Sequence, residues 1–157
     1  MKTKIILSSA IAIVATLLII SACTKDKVKG CMDPDSINYN LKATEDDGSC
    51  KYQGSIVFWF NAALQDSLTT HGADTLIYHI NHVKVGTSVV AGNGRSSAPS
   101  CGQSGAFTLT EQLGSAKNQT DTLTVNDQTG NFNWYAIITI TANPSCTPFQ
   151  LLYSNIQ

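Results

Sequence analysis

Thr75-Leu76-Ile77-Tyr78-His79-Ile80-Asn81-His82-Val83-Lys84-Val85 reads as a complete β-hairpin. Leu76, Tyr78 and Ile80 recur at every second position, as one face of a half-buried strand requires, and Val83 and Val85 resume after a two-residue break. Asn81 tolerates the left-handed backbone of a tight turn; a histidine such as His82 adopts it less often. The alternation turns His79 to the face opposite Tyr78 and Ile80.

The chain on either side has the same texture. Gly86 to Val90 prolongs the second strand, and residues 91–105 form a Gly/Ser-rich loop that contains Cys101. Ala106 to Thr110 predicts a short strand with Phe107 and Leu109 on one face, and Thr120 to Val125 another with Leu123 and Val125. Asn126 to Gly130 is a turn, Phe132 to Thr141 the longest expected strand, and Phe149 to Tyr153 the last. Upstream, Ser55-Ile56-Val57-Phe58-Trp59-Phe60-Asn61 is β-branched and aromatic throughout, as a strand covered on both faces would be. Residues 62–74 read as a connection with room for one helical turn, and no stretch supports a long helix. About seven short strands separated by turn residues predict an all-β fold, a small antiparallel sandwich.

The amino end has a different purpose. Lys2 and Lys4 precede an apolar run from Ile5, which ends in Ile20-Ser21-Ala22-Cys23 and is followed at once by Thr24-Lys25-Asp26-Lys27. A cationic start, a greasy middle and small residues before a cut describe a secretory signal peptide, favoured here over an uncleaved membrane helix. The ending resembles the bacterial lipobox, which implies removal of 1–22, acylation of Cys23 with chains such as palmitate, and a lipid-anchored envelope protein, outer-membrane and either periplasmic or surface-facing. Surface display in some groups reads an acidic cluster after the lipidated Cys, and only Asp26 lies there.

Loss of Lys2 and Lys4 leaves 8 basic against 11 acidic residues, a net charge near minus 3. With one arginine, Arg95, and no basic stripe, the chain offers nucleic acid little to bind. Once Cys23 is assigned to lipid, Cys31, Cys50, Cys101 and Cys146 form an even set suited to an oxidising compartment. Of the three possible pairings, Cys31/Cys50 with Cys101/Cys146 keeps each bridge within its own segment. The expected organisation is a leader (1–22), a tether (23–29), a cysteine-closed acidic module (30–53) and a β-sandwich (54–157).

The module contains Gly30-Cys31-Met32-Asp33-Pro34, Asn38-Tyr39-Asn40, Ala43-Thr44 and Asp46-Asp47-Gly48-Ser49-Cys50. It closely resembles a two-cysteine module that recurs in secreted and surface proteins of certain Gram-negative bacteria, with Leu41 where that pattern has proline. Asp33, Asp35, Asn38, Asn40, Asp46 and Asp47 are hard oxygen donors, so calcium is the candidate metal, although the spacing excludes an EF-hand. The competing reading is structural: Asp-Pro, Asn-Tyr-Asn and Asp-Asp-Gly are turn sequences whose side chains bond back to the backbone. The remainder resembles small β-domains of bacterial envelope lipoproteins, on the strength of Val85-Gly86-Thr87, Pro99-Ser100-Cys101-Gly102-Gln103-Ser104-Gly105 and the late Cys146. That resemblance implies a sandwich and no catalytic residues.

Other candidates are weaker. Ser36, Ser67, Thr75 and Thr122 each follow Asp and precede an aliphatic residue, which resembles a bacterial O-glycosylation signal. Trp59 and Trp134 suit a core or a carbohydrate-stacking platform. His79 and His82, three apart in the hairpin, with His71 nearby in sequence, are the start of a zinc or general-base site, and a hydrolase needs His71, His79 and Asp74 to converge; turn or solvated histidines explain them better. Ser96, Ser97, Ser100 and Ser104 lack the strand-to-helix setting of a nucleophilic serine. The expected function is a lipid-anchored, non-enzymatic envelope protein serving as a structural or binding module for a protein or glycan. The alternatives are a carbohydrate-binding accessory lipoprotein and a hydrolase near His71 and His79.

Overall fold

A computed structural model describes residues 26–153. The expected leader (1–22) and Cys23, the expected site of acylation, lie outside the described residues.

The module at 30–53 is built from turns, with one two-residue parallel pairing of β1 (Lys29–Gly30) and β2 (Glu45–Asp46). Its carboxylates and amides close their own loops: Asp33 Oδ1 accepts from Asp35 N, Asn40 Oδ1 from Lys42 N, Asp46 Oδ1 from Gly48 N and Asp47 Oδ1 from Ser49 N. These are the bonds that short polar side chains make in turns. The Cys31–Cys50 disulfide closes the module.

The body is a sandwich of seven strands, β3 (Tyr52–Trp59), β4 (Thr75–Ile80), β5 (Val83–Val89), β6 (Phe107–Gly114), β7 (Asn118–Asp127), β8 (Asn133–Thr141) and β9 (Cys146–Gln150). One sheet has the order β6-β3-β9 and the other β5-β4-β7-β8. All neighbours are antiparallel except β3 and β9, which run parallel. The facing rows fill the space between the sheets: Ile56 and Phe58 from β3, Leu76, Tyr78 and Ile80 from β4, Leu123 and Val125 from β7, and Trp134, Ile138 and Ile140 from β8. Val57, on the other face of β3, is also buried, so β3 is covered on both sides.

The hairpin forms as the alternation predicts. Asn81 and His82 both take positive φ, 48° and 68°, the pair of conformations a two-residue type I′ turn needs. Asn81 is held there by its amide, which donates to Asp121 Oδ1 at 2.8 Å and accepts from Thr122 N at 3.0 Å. Gly86 is required by packing: a Cβ there would stand 2.2 Å from the ring of Phe107.

Several expectations change. Residues 62–74 hold a nine-residue helix, α1 (Ala62–Thr70), rather than a connection with one turn. Asn61 caps it, with Oδ1 accepting from Leu64 N at 2.8 Å, and Leu64 and Leu68, one turn apart, are both buried in the core. The longest strand is β7, not the segment from Phe132, and β6 continues beyond Thr110 to Gly114. The last strand begins at Cys146 instead of Phe149; Pro148 argues against a strand in sequence, but proline is accommodated on an edge. The Cys101–Cys146 disulfide ties the long β5–β6 loop to the start of β9, so both expected pairings form.

Candidate functional site

The densest polar cluster lies where the acidic module meets the sandwich. Lys117, just before β7, extends its Nζ to within 2.6 Å of Asp33 Oδ2 and 3.2 Å of Asp35 Oδ2. Tyr52, the first residue of β3, donates its hydroxyl to Asp33 Oδ2 at 2.8 Å, and its ring lies beneath the Lys117 ammonium at 5.5 Å. Asn143, in the β8–β9 loop, donates to Asp35 Oδ1 at 2.9 Å. The hydrogen bond from Lys117, helped by those from Asp35 N and Tyr52, lowers the Asp33 carboxyl to about 2. The bond to Asp33, followed by that to Asp35, raises Lys117 to about 12, and the Asp33 carboxylate raises the Tyr52 phenol. Each group is locked in its ordinary neutral-pH state, which suits a joint and not a proton-transfer site.

The candidate calcium ligands are therefore distributed otherwise than a cage requires. All four carboxylate oxygens of Asp33 and Asp35 already meet hydrogen-bond donors, and the cation they hold is an ammonium from the sandwich. Asn38 spans Ser49 O and Lys51 N, while Asn40, Asp46 and Asp47 serve their own turns. Among the described residues no three His, Cys, Asp or Glu side chains gather as metal ligands.

The histidines do not converge with Asp74. His71 closes the end of α1, its Nδ1 donating to Ser67 O at 2.8 Å, with its ring edge-on to Phe132. His79 sits on the outer face of β4 between Lys84 and Thr124, five residues along the strand from Asp74, or about 16 Å at a strand's rise. The hydrolase alternative thus lacks an assembled site in these residues. The tryptophans also separate: Trp134 is 2% exposed and donates Nε1 to Leu152 O at 2.9 Å, so it cannot stack on a sugar, whereas Trp59 is half-buried. Of the glycosylation candidates, Ser36 is only 8% exposed and its hydroxyl donates to Asp33 O, which leaves no room for a glycan. Ser67, Thr75 and Thr122 are half-buried within α1, β4 and β7.

Open concavities among the described residues include the following. The first, about 290 Å³, lies between β5 and β6 and is lined by Thr87, Ser88, Asn93, Gly105, Phe107 and Thr108. Arg95 stands behind it, with Nη2 donating to Ser104 O at 2.5 Å and Nε buried without a partner. The second, about 310 Å³, separates α1 from Leu152 and Tyr153. The third, about 360 Å³, lies between Ile37 of the module and the Cys101–Cys146 disulfide. No family model, curated protein or solved structure matches the chain.

Lys117 and Asn143 are the residues that sequence reasoning did not connect to the acidic module, and Tyr52, expected at the module's end, is the first residue of β3. Lys117 is 82 residues from Asp35 and Asn143 is 108; at such separations no periodicity or motif signals a contact. An acidic segment facing a chain with few lysines was the only available hint.

Proposed function

We propose that the protein is a lipid-anchored, non-enzymatic module of the bacterial envelope, in which the acidic module links the acylated Cys23 to the sandwich. The observation that carries this reading is the joint at Lys117. The module that follows the proposed anchor and tether is fastened to the sandwich by Lys117 and Asn143, which hold Asp33 and Asp35, with Tyr52 bonded to Asp33, and this supports a module and body that act as one unit. Two disulfides in separate loops support an oxidising compartment. In this reading the protein is a structural or binding element at the outer membrane, with a protein or glycan as its partner.

The test is fractionation of cells that express the full chain or Cys23→Ser. The wild type is expected in membranes with an acylated amino terminus at Cys23 by mass spectrometry, and the variant in the soluble extracytoplasmic fraction with both disulfides intact. Wild-type protein that retains Met1 and an unmodified Cys23 thiol overturns the proposal.

A further inference from the structure

Among the described residues eleven large apolar side chains are exposed, and five of them, Val28, Met32, Ile37, Tyr39 and Leu41, fall in the short segment 28–41. The whole of the sandwich supplies the other six, so the exposed apolar surface is concentrated in the module. Leu41 is the extreme case at 83% exposed. With Lys42 it forms the apex of a turn that Asn40 closes, Asn40 O accepting from Ala43 N and Oδ1 from Lys42 N. Turn chemistry gives leucine no advantage at such an apex. The local geometry brings three of the five together. Asn40 lays its side chain against Gly30, where a Cβ would stand 2.8 Å from its Nδ2, and the residues on either side of it, Tyr39 and Leu41, turn outward. Val28 adjoins the same turn, its N donating to Thr44 Oγ1 at 3.0 Å and its O accepting from Thr44 N at 2.8 Å. The module meets the sandwich elsewhere, through Asp33 and Asp35 and along the groove that Ile37 lines.

We infer that Val28, Tyr39 and Leu41, with the ammonium of Lys42 beside them, seat the module on the phospholipid surface to which Cys23 holds the chain. The inference rests on the acylation of Cys23 proposed above. Cys23 stands five residues before Val28, a span of at most about 18 Å however the chain between them runs. Leu41 is three residues from Thr44, the partner of Val28, which adds at most about 11 Å. The anchor therefore keeps these side chains beside the bilayer, at an effective concentration where a shallow apolar insertion too weak to hold a free protein becomes the populated state. Of the residues before 26, that reading leaves only Cys23, Thr24 and Lys25 on the mature chain, and none of these is an apolar side chain that would cover Leu41. Charge agrees with a lipid surface. Among the described residues Lys42 pairs with no carboxylate, so its ammonium is free to meet headgroup phosphates while its stem lies along apolar surface. Glu45, whose N also donates to Val28 O, is already held by Lys27 at 3.0 Å.

Fluorescence quenching from the lipid tests this on the full chain, purified with its acyl group and placed in phosphatidylcholine vesicles that carry a nitroxide high on the acyl chains. An environment-sensitive fluorophore is attached to Ala43→Cys, which leaves Leu41 and Lys42 in place, or for reference to Val89→Cys, exposed on β5 opposite Thr75. The label at Ala43→Cys is expected to be quenched about threefold more than the label at Val89→Cys, as a site near the headgroup and acyl boundary would be. Leu41→Asp in the Ala43→Cys chain is expected to abolish that difference without changing the melting temperature, since residue 41 faces solvent. With Cys23 acylated, three results overturn the inference: equal quenching at the two sites, a difference that survives Leu41→Asp, or a blue-shifted label at Ala43→Cys that the lipid does not quench, as a second copy or another protein covering Leu41 would give. Mass spectrometry of the same material separates this failure from that of the proposed function: a Cys23 without acyl chains overturns the anchor itself, and this inference with it.

Discussion

Replacing Cys101 and Cys146 together by serine removes the bridge between the β5–β6 loop and the start of β9 while keeping both side chains close to their original size. Its ends are 45 residues apart, and on the chain-entropy relation closing such a loop stabilises by about 4 kcal/mol. An unfolding entropy of about 2.1 cal/mol/K per residue over the 128 described residues converts this to a fall in melting temperature of about 15 °C. The native contacts around the bridge remain available: Ser55 N still donates to Ser145 O, Gly102 N to Thr108 Oγ1 and Arg95 N to Phe60 O. The loss therefore lies in the denatured chain, which becomes freer and more expanded. Circular dichroism should show an unchanged native spectrum, a lower midpoint and a steeper urea dependence. A shift under about 5 °C, or a native spectrum already lost at 20 °C, refutes the reasoning. The first result means that the closed loop constrains little, and the second that the bridge shapes the native sheet.

Trp134→Ala should cost about 3 to 5 kcal/mol in chemical denaturation, because it empties a fully packed site and strands Leu152 O; a glycan surface residue would cost almost nothing. Asn61→Ala should cost about 1 kcal/mol through loss of the α1 cap, and Asn61→Asp should restore most of it, both read from urea midpoints. The Asp33 carboxyl is depressed to about 2, so its contribution is complete at neutral pH and is lost as pH falls from about 4 through about 2. Lys117 is raised to about 12, so its contribution is present below about 10.5 and lost as pH rises through about 12. Melting temperature against pH should show both limbs. Asp33→Asn should flatten the acid limb, and an unchanged limb in that variant would place the acid sensitivity elsewhere.

Local chemistry was legible wherever a short range of residues decides the outcome. The alternation around Tyr78, the Asn81-His82 turn and the inward rows of β3, β4 and β7 follow from a period of two, and the module's turns from Asx side chains bonding backbone two residues on. The helix was legible in principle, since Asn61 stands before Ala62 and Ala63 with leucines at 64 and 68. Nine residues between strands nevertheless carry only a weak signal, because an isolated helix of that length is not stable without packing. Pro148 hid β9, since the rule against proline holds for central strands and relaxes at an edge.

By itself the sequence determined the all-β character, the four cysteines that follow Cys23 and the acidity of the module, because these depend on composition and on spacings of two to four residues. Only the tertiary structure decided that Asp33 and Asp35 hold Lys117 and that Trp134 belongs to the core. Those outcomes depend on which distant segments become neighbours. That choice is made by the burial of all the apolar rows together and leaves no trace in any one of them.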